Sequence, residues 1–508
     1  MSQIIDMLLT ELSALIADLG KDGGLISPSI YDTAQVLRFC PPEEGIASAL
    51  EWLMAQQQLD GGWGDPAVPL ARHVPTLASL LTLQTYKNGR ATHEAIEAGV
   101  TFLQQRADEW RALCIDNLPI AVELILPKLV EEAIDSGLEL SLHPYARLVE
   151  LGNRKRKKIA QRPPVAGTPP TYSWEAWGSD PTLPVIDDLG SIGTSPAATA
   201  AWLHAAVGCA CLKDACEAGG HYLTQASAAT GLNIPGVVPV VWPINRFEQQ
   251  YALYSLLLVN LSDHPQLRNV TQAQVRNLAC GFRSDGVSWN DSFASDGDDT
   301  AVALIVLQTM GYNVDAKIIL GQYESNGLFC TFLGEMNPSV FTTAHAIHAL
   351  AFSGIDTAEP QRFLLQRQCP DGRWPTDKWH SSWLYTTLEV ILAFDQVGHY
   401  EVIQSAVEAL LDYQHEDSGW GMNSKSTTTE TAYSVLALYK LWRIGLLDEN
   451  ALNALRQGYQ WLVSEYRPFQ RGNEHKLWIG KELYKPYRID RAFELSAMLA
   501  MALEEAEF

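Results

Sequence analysis

Three carboxylic acids lie within four residues, at Asp296, Asp298 and Asp299, immediately before an almost wholly apolar segment. The first interpretation is a helix start, in which Ser295 or Asp296 caps the helix and the acids interact favourably with its positive end. A second is acid catalysis, because crowding raises the pKa of at least one carboxyl group and keeps it protonated. A third is a Mg²⁺ site, since that ion prefers oxygen ligands. The residue types alone leave all three open.

Acid catalysis at this position would suit one demanding reaction, the protonation of a carbon–carbon double bond. An alkene is a very weak base, so the donor must be a neutral carboxylic acid, and water must be kept away from the cation that forms. Aromatic faces stabilise such a cation. The chain has 15 Trp, 18 Tyr and 14 Phe to line a site of this kind, although most aromatic residues belong to protein cores.

Composition limits the class of protein. A chain of 508 residues predicts two or three domains, and 47% hydrophobic residues are enough for large cores. The net charge of −23 argues against a general binder of nucleic acid or of anionic membranes. No apolar run is as long as a membrane span, and acidic residues interrupt the first apolar segment. The eight scattered cysteines predict buried, reduced thiols, and the predicted compartment is the cytoplasm.

A repeat of the form Q-x-x-D-x-x-W occurs at residues 57–63, 368–374 and 414–420. Each copy lies between two apolar segments with helical spacing, and its glycine-containing turn ends one helix and redirects the chain. The Trp can then lie over the end of that helix, where the Gln amide has backbone groups to bond. Helix, turn and helix at this recurrence predict an all-α fold built as a closed α/α barrel with an inner and an outer ring.

The repeats fall into two groups, near residues 50–85 and 280–445, which predicts two helical domains. Proline-rich passages at 162–184 and 233–249 separate them. We place the main boundary near residue 235. Pockets favour such junctions, so the active site is expected between the two domains.

The motif Asp296-Gly297-Asp298-Asp299-Thr300 resembles the D-x-D-D-T motif of class II terpene cyclases. Further segments resemble the diterpene branch of that family and follow its order along nearly the whole chain. They are SIYDTAQVL (29–37), LDGGWGD (59–65), VELILPKLVEEA (122–133), SPAATAAW (195–202), GVSWNDS (286–292) and LWIGKELYKP (477–486).

The resemblance implies an architecture and a reaction. Two α-barrel domains are expected, a β domain formed by residues 1–20 and 236–508 and a γ domain, residues 21–235, inserted after the first helix. Asp298 becomes the proton donor for geranylgeranyl diphosphate, while Asp296 and Asp299 tune and orient it. The D-D-x-x-D motif that ionises diphosphates in the family's third domain does not occur in this chain. The diphosphate is therefore expected to survive in a bicyclic product.

Residues 152–162 form the only dense basic run of the sequence. As a charge pattern alone it is a solvated helix face. The resemblance implies more, because Lys155 and Lys158 match lysines that contact the diphosphate in the family. Lys481 is a weaker candidate for the same role. Mg²⁺ is expected with the diphosphate, without a tight protein site.

Two positions depart from the family pattern. In plant enzymes that make ordinary labdane products, a His–Asn pair holds a water that acts as the terminating base, and here Tyr172 and Val240 align with that pair. Without the base, the bicyclic cation should rearrange by hydride and methyl shifts. The expected product is a halimane- or clerodane-type diphosphate, and copalyl diphosphate is the alternative if another residue supplies the base.

Two further residues are expected to line the pocket. Trp289 lies in the GVSWNDS segment, and Thr343 occupies a position where bacterial relatives often carry Asn beside the catalytic acid. His345 and His348 share the predicted helix that follows, and their expected role is packing rather than metal binding.

Several other functions share part of this pattern. A squalene–hopene-type cyclase shares the acid motif, but has more repeats and no use for the basic run. Farnesyl diphosphate, giving a drimane, requires identical chemistry. A non-catalytic scaffold should have lost Asp298, and protein prenyltransferases need zinc ligands that this chain lacks. The expected partners are a prenyl diphosphate substrate and a downstream class I synthase or phosphatase, without nucleic acid or integral membrane association.

Overall fold

The structure is a computed structural model that describes residues 2–86, 89–111, 118–325, 327–332, 335, 337–470 and 475–507. It is almost entirely helical, as the sequence predicts. The α-helices are α1 (Ser2–Ala17), α2 (Ile30–Phe39), α3 (Ala47–Ala55), α4 (His73–Thr85), α5 (Gly89–Arg106), α6 (Val122–Asp135), α7 (Ala146–Gln161), α8 (Trp174–Trp177), α9 (Pro196–Ala206), α10 (Lys213–Ala228), α11 (Asn245–Leu258), α12 (Arg268–Gly281), α13 (Gly297–Thr309), α14 (Lys317–Gln322), α15 (Val340–Ala351), α16 (Ala358–Arg367), α17 (Trp383–Val397), α18 (Tyr400–Asp412), α19 (Thr428–Arg443), α20 (Glu449–Glu465) and α21 (Tyr487–Glu507).

Short elements connect these helices. The strands form two antiparallel hairpins, β1 (Glu324–Ser325) with β2 (Leu328–Phe329) and β3 (Trp478–Ile479) with β4 (Leu483–Tyr484). Short 3₁₀ helices occur at Lys21–Gly23, Pro69–Arg72, Ala107–Arg111, His143–Tyr145, Pro169–Ser173, Ala210–Leu212 and Leu261–Asp263.

The larger of two barrels has an inner ring of six helices. Helices α11, α13, α15, α17, α19 and α21 pack in that order, and α21 closes the ring against α11. Helices α12, α14, α16, α18 and α20 pack on the outside. The first helix of the chain, α1, completes the outer ring by packing against α21 and α12.

The smaller barrel follows the same plan. Helices α2, α4, α6, α8 and α9 form its inner ring, which closes where α9 packs against α2. Helices α3, α5, α7 and α10 pack against it from outside. An apolar core made mostly of residues 30–176 fills this barrel, and a second core fills the larger one.

The repeated Q-x-x-D-x-x-W segments join outer to inner helices in both barrels. Each Gln amide donates to a carbonyl oxygen within its own turn, as Gln368 does to Gly372 over 2.8 Å. Each Trp is fully buried over the end of the preceding outer helix, as predicted. The indole N–H donates to a carbonyl oxygen of that helix, from Trp63 to Leu53 at 2.8 Å, from Trp374 to Leu364 at 2.7 Å and from Trp420 to Leu410 at 2.7 Å.

The two barrels meet at the end of the larger barrel where the inner helices begin. Just before α13, the Ala294 N–H donates to the Gly167 carbonyl oxygen of the smaller barrel over 2.7 Å. Just before α21, Glu482 in the β3–β4 hairpin accepts the N–H groups of Ile30 and Tyr31 at 2.7 and 2.9 Å. These contacts place the mouth of the larger barrel against the smaller one.

No helix in the described ranges is long and apolar enough to cross a membrane. The described cysteines carry free thiols, and Cys330 is the only buried one among them, so the expectation of burial is wrong for the other six. Cys114 lies outside the described residues.

Candidate active site

The acid motif lies where α13 begins, at the mouth of the larger barrel. Asp296 is the N-cap, and its Oδ1 accepts the N–H groups of Asp298 at 3.0 Å and Asp299 at 2.8 Å. The helix-start interpretation is therefore correct for Asp296. The cap also fixes the backbone from which Asp298 projects, so capping and catalysis are compatible roles of one motif.

Both carboxylate oxygens of Asp298 are engaged by side chains of neighbouring inner helices. Oδ1 lies 2.8 Å from Nδ1 of His345 on α15, and Oδ2 accepts a short hydrogen bond from the hydroxyl of Tyr251 on α11. All three side chains are buried. The expectation that His345 serves packing is wrong, because its ring is a direct partner of the predicted acid.

The contacts continue beyond His345. Its Nε2 lies 3.0 Å from Oε2 of Glu389 on α17, an ion-pair contact rather than an aligned hydrogen bond. The same Glu389 oxygen accepts the Tyr254 hydroxyl at 2.6 Å. Burial alone lowers the pKa of His345, but the charges of Asp298 and Glu389 outweigh it and raise that pKa to about 10. We call Tyr251, Tyr254, Asp298, His345 and Glu389 the acid network.

The outer acids of the motif behave as a pair. Burial raises the pKa of Asp296 to about 8 and that of Asp299 well above its ordinary value. The charge of Asp296 and the hydrogen bond between the two side chains raise the pKa of Asp299 further, whereas the same hydrogen bond lowers the pKa of Asp296. At neutral pH the two carboxyl groups therefore hold at least one proton between them. This pair lies next to Asp298 without competing for His345.

Aromatic rings surround the acid network at the mouth of the larger barrel. The ring of Trp478, on strand β3, lies 5.3 Å from that of Tyr251 and 5.4 Å from that of Tyr385. The centres of the Phe341 and Tyr385 rings lie 5.5 Å apart. These four aromatic side chains come from four different elements, so they come together only when the barrel is closed.

A second group of predicted pocket residues meets at the junction of the barrels. The Tyr172 hydroxyl donates to the Val240 carbonyl oxygen over 3.3 Å. The Trp289 ring lies 6.4 Å from the Tyr172 ring, and its N–H donates to Thr194 at 3.1 Å. Burial, aided by the charge of Asp32, raises the pKa of Tyr172 well above its ordinary value. The Tyr172 phenol is therefore neutral and already bonded to a carbonyl group.

Lys481 lies beside this group and is fully buried. Its ammonium donates to Glu175 and Ser195 of the smaller barrel, both at 2.6 Å. It also lies 4.6 Å from the centre of the Tyr172 ring. The structure thus joins Lys481 to Tyr172 and to buried carboxylates, a setting that the sequence did not indicate.

The other two lysines predicted for the diphosphate lie on α7, an outer helix of the smaller barrel. Lys155 pairs with Glu123 of α6 at 2.5 Å and is partly exposed, while Lys158 is exposed. Both ammonium groups are therefore accessible to a ligand.

Thr343 lies on α15 and is buried. Its hydroxyl donates to the carbonyl oxygen of Ser339, the N-cap residue of that helix, at 2.6 Å. His345, two residues further on, makes the contact with Asp298 that was considered for Thr343.

Sequence reasoning missed Tyr251 and His345 as partners of the acid, and Glu389 as a partner of His345. One signal was available, since a charged residue inside the apolar segment WLYTTLEVILAF of α17 needs a polar partner. In the described part of the chain, no three His, Cys, Asp or Glu side chains are grouped to hold a metal ion.

Comparison with known proteins agrees with this geometry. Residues 336–480 match the model of the squalene-hopene cyclase C-terminal domain. The chain is 45% identical to the (+)-kolavenyl diphosphate synthase of Herpetosiphon aurantiacus over 99% of both chains. It is 31% identical to an ent-copalyl diphosphate synthase of a Streptomyces species, over 95% of this chain and 94% of that one.

A solved structure shows the same fold along the whole chain. The ent-copalyl diphosphate synthase of Streptomyces platensis superposes with a TM-score of 0.80 at 27% identity, over 97% of this chain and 99% of that one. With a buried acid motif on this fold and relatives that match it from end to end, the chain is an enzyme that belongs to the class II diterpene cyclase family.

Proposed function

We propose that the enzyme cyclises geranylgeranyl diphosphate to a bicyclic diphosphate and that Asp298 supplies the proton. The observation that carries the proposal is the burial of Asp298, with its Oδ1 2.8 Å from Nδ1 of His345 and its Oδ2 accepting the hydroxyl of Tyr251. With Oδ1 occupied by an imidazolium, the acidic proton resides on Oδ2. That O–H bond breaks as the terminal alkene carbon gains a C–H bond, and the alkene electrons begin ring closure.

The surroundings of Asp298 suit the cation that results. The imidazolium of His345 stabilises the carboxylate left on Asp298, which makes proton transfer to a weak base more favourable. The rings of Trp478 and Tyr385 supply faces that attract positive charge and exclude water. Both features act on the transition state, which is what acceleration requires.

We propose a rearranged, clerodane- or halimane-type diphosphate as the product. Tyr172 is a neutral phenol whose hydroxyl already donates to Val240, so this pair provides no base. A cation without a neighbouring base lives long enough to rearrange. The relative from Herpetosiphon, a kolavenyl diphosphate synthase, supports this choice. Copalyl diphosphate, or a drimane from farnesyl diphosphate, is the second candidate.

For the diphosphate we propose Lys155 and Lys158, because their ammonium groups are accessible. Lys481 would have to give up its bonds to Glu175 and Ser195, so its proposed role as a ligand rests on the sequence alone. Mg²⁺ would arrive with the diphosphate as its counter-ion.

We propose the domain limits that the sequence predicts, with residues 1–20 and 236–508 in one domain and 21–235 in the other. The packing of α1 against α21 supports the assignment of the first helix to the larger barrel. Free thiols support a reducing compartment such as the cytoplasm. A class I terpene synthase or a phosphatase would act on the retained diphosphate of the product.

The test is an incubation of the protein with geranylgeranyl diphosphate and Mg²⁺, followed by dephosphorylation and mass spectrometry, beside an Asp298→Asn variant. A bicyclic alcohol is expected from the wild type, at least about a hundredfold more than from the variant, because general-acid catalysis contributes about 10² to 10⁴ in rate. Unchanged geranylgeraniol from both proteins would contradict the substrate, and equal cyclisation by both would contradict the role of Asp298.

A further inference from the structure

We propose that Glu389 is a positioning residue which, as counter-ion of His345, allows Asp298 to remain protonated beside an imidazolium. The inference rests on the proposed function, in which Asp298 is the acid. It assigns a role to a residue that lies on a different helix from the motif and that contacts the acid only through His345.

The position of Glu389 suits this role. Its side chain is fully buried in the apolar helix α17, and its ion pair is with His345. Oε2 faces His345 at 3.0 Å and also accepts the Tyr254 hydroxyl at 2.6 Å. Oε1 is buried without a hydrogen-bond partner. A carboxylate in such surroundings is costly unless it compensates a charge.

The charge count around His345 explains the requirement. With Glu389 ionised, the imidazolium is compensated, so Asp298 can stay neutral and keep its proton. Without the Glu389 charge, the buried imidazolium has one remaining carboxyl partner, Asp298, and the favourable state becomes an ion pair with an ionised Asp298. An ionised Asp298 cannot protonate an alkene. The charge of Glu389 therefore compensates the imidazolium of His345, so that Asp298 does not have to be ionised to do so.

The other titratable groups facing the network do not replace Glu389. Burial raises the pKa of Tyr251 and Tyr254 on α11 and of Tyr385 on α17, so these phenols are neutral. Burial and the charge of His345 lower the pKa of His348 to about 3, so it is neutral too.

On the motif side, Asp296 and Asp299 share a proton with each other, and burial also raises the pKa of the Tyr484 phenol beside them. Among the described residues, Asp298 and Glu389 are the carboxyl groups that contact the His345 ring.

The test is the pH dependence of turnover in a Glu389→Gln variant. Removing a negative charge near Asp298 favours its ionised form, so the basic limb of the profile should move to lower pH by about one unit. At a fixed pH on the basic limb, the turnover of the variant relative to the wild type should be about tenfold lower than the same ratio measured near pH 5. The matched control is Glu430→Gln, a buried glutamate on the next inner helix, α19, that binds Ser382 at 2.6 Å. Its basic limb should stay at the wild-type pH.

A second variant keeps the test valid if the Gln variant does not fold. Glu389→Asp retains the carboxylate but withdraws it from His345 by one methylene group, so the limb should move in the same direction by less. A loss of turnover that is equal at every pH, in either variant, would assign Glu389 a purely structural role and overturn the inference.

The two proposals can fail separately. If the Asp298→Asn variant cyclises the substrate as well as the wild type, the proposed function fails. The Asp298→Asn variant could instead be inactive while the Glu389 variants lose turnover at the same basic pH as the wild type. In that case only the proposed role of Glu389 is wrong.

Discussion

We propose that Tyr172 and Val240 occupy the two positions at which a labdane-forming relative would hold its water. The pair is in contact, since the Tyr172 hydroxyl donates to the Val240 carbonyl oxygen at 3.3 Å. Neither side chain can accept a proton from a cation, because the phenol is neutral and valine is a hydrocarbon. The contact is made to the backbone of Val240, and neither side chain supplies a base.

The double substitution Tyr172→His with Val240→Asn should restore early deprotonation. An imidazole and an amide at adjacent positions can hold a water that takes a proton before the cation rearranges. We expect the ratio of unrearranged to rearranged bicyclic alcohol, measured by gas chromatography with mass spectrometry, to rise about tenfold, equivalent to ~1.4 kcal/mol in relative barriers.

The control for this experiment is Tyr172→Phe, which removes the hydroxyl without adding a base. Its product should keep the rearranged skeleton. The same product ratio from the double variant and from the wild type would mean that the base is elsewhere.

At the scale of elements, the start of α13 depends on a glycine. A Cβ at Gly297 would lie 2.6 Å from the carbonyl oxygen of Cys330, closer than any real contact allows. A Gly297→Ala substitution must therefore move the first turn of α13, which carries Asp298. A displacement of about 1 Å at a reacting group can cost about a hundredfold in rate.

We accordingly expect Gly297→Ala to lower turnover about a hundredfold while the protein remains folded. Turnover and thermal unfolding should be measured together. The matched control is Gly321→Ala in helix α14, where a Cβ has open space around it. Equal turnover in the two variants would show that the close packing at Gly297 does not position the acid.

The elements also show why the sequence predicted some contacts and missed others. The Trp63 indole bonds to Leu53, ten residues away, so the repeat and its barrel were visible as a local pattern. Asp296 caps its own helix for the same reason. The contact between His345 and Asp298 spans 47 residues and depends on α13 and α15 being neighbours in a closed ring. No local pattern specifies that adjacency.

At the scale of the molecule, the β3–β4 hairpin couples the two barrels. Lys481 extends from the larger barrel and bonds to Glu175, a residue 306 positions earlier in the chain, while its Nζ lies 3.9 Å from Asp32. Burial raises the pKa of Asp32 to about 7, and the charge of Lys481 holds it below what burial alone would give. The ammonium group of Lys481 thus compensates negative charge on both Glu175 and Asp32.

Lys481→Met should therefore weaken the junction by about 3–5 kcal/mol, the usual cost of removing one partner from a buried ion pair. The loss should depend on pH. A carboxyl group whose pKa is higher in the folded than in the unfolded state stabilises the fold at pH values below its unfolded-state pKa, which is near 3.8 for Asp32. That stabilisation is lost as the pH rises through the folded-state pKa. Without Lys481 the folded-state pKa of Asp32 rises further. The variant's loss in free energy of unfolding, relative to the wild type, should therefore be larger at pH 8 than at pH 5.

Urea denaturation at both pH values, followed by tryptophan fluorescence, measures this difference. Lys425→Met, at an exposed lysine of the larger barrel, is the control and should change stability by less than about 0.5 kcal/mol at either pH. Because we propose that Tyr172 of one barrel and Asp298 of the other line the same active site, a loosened junction should also broaden the product mixture. A Lys481→Met protein with wild-type stability at pH 8 would show that the barrels are held together by their other contacts, such as the bonds of Glu482 to the start of α2.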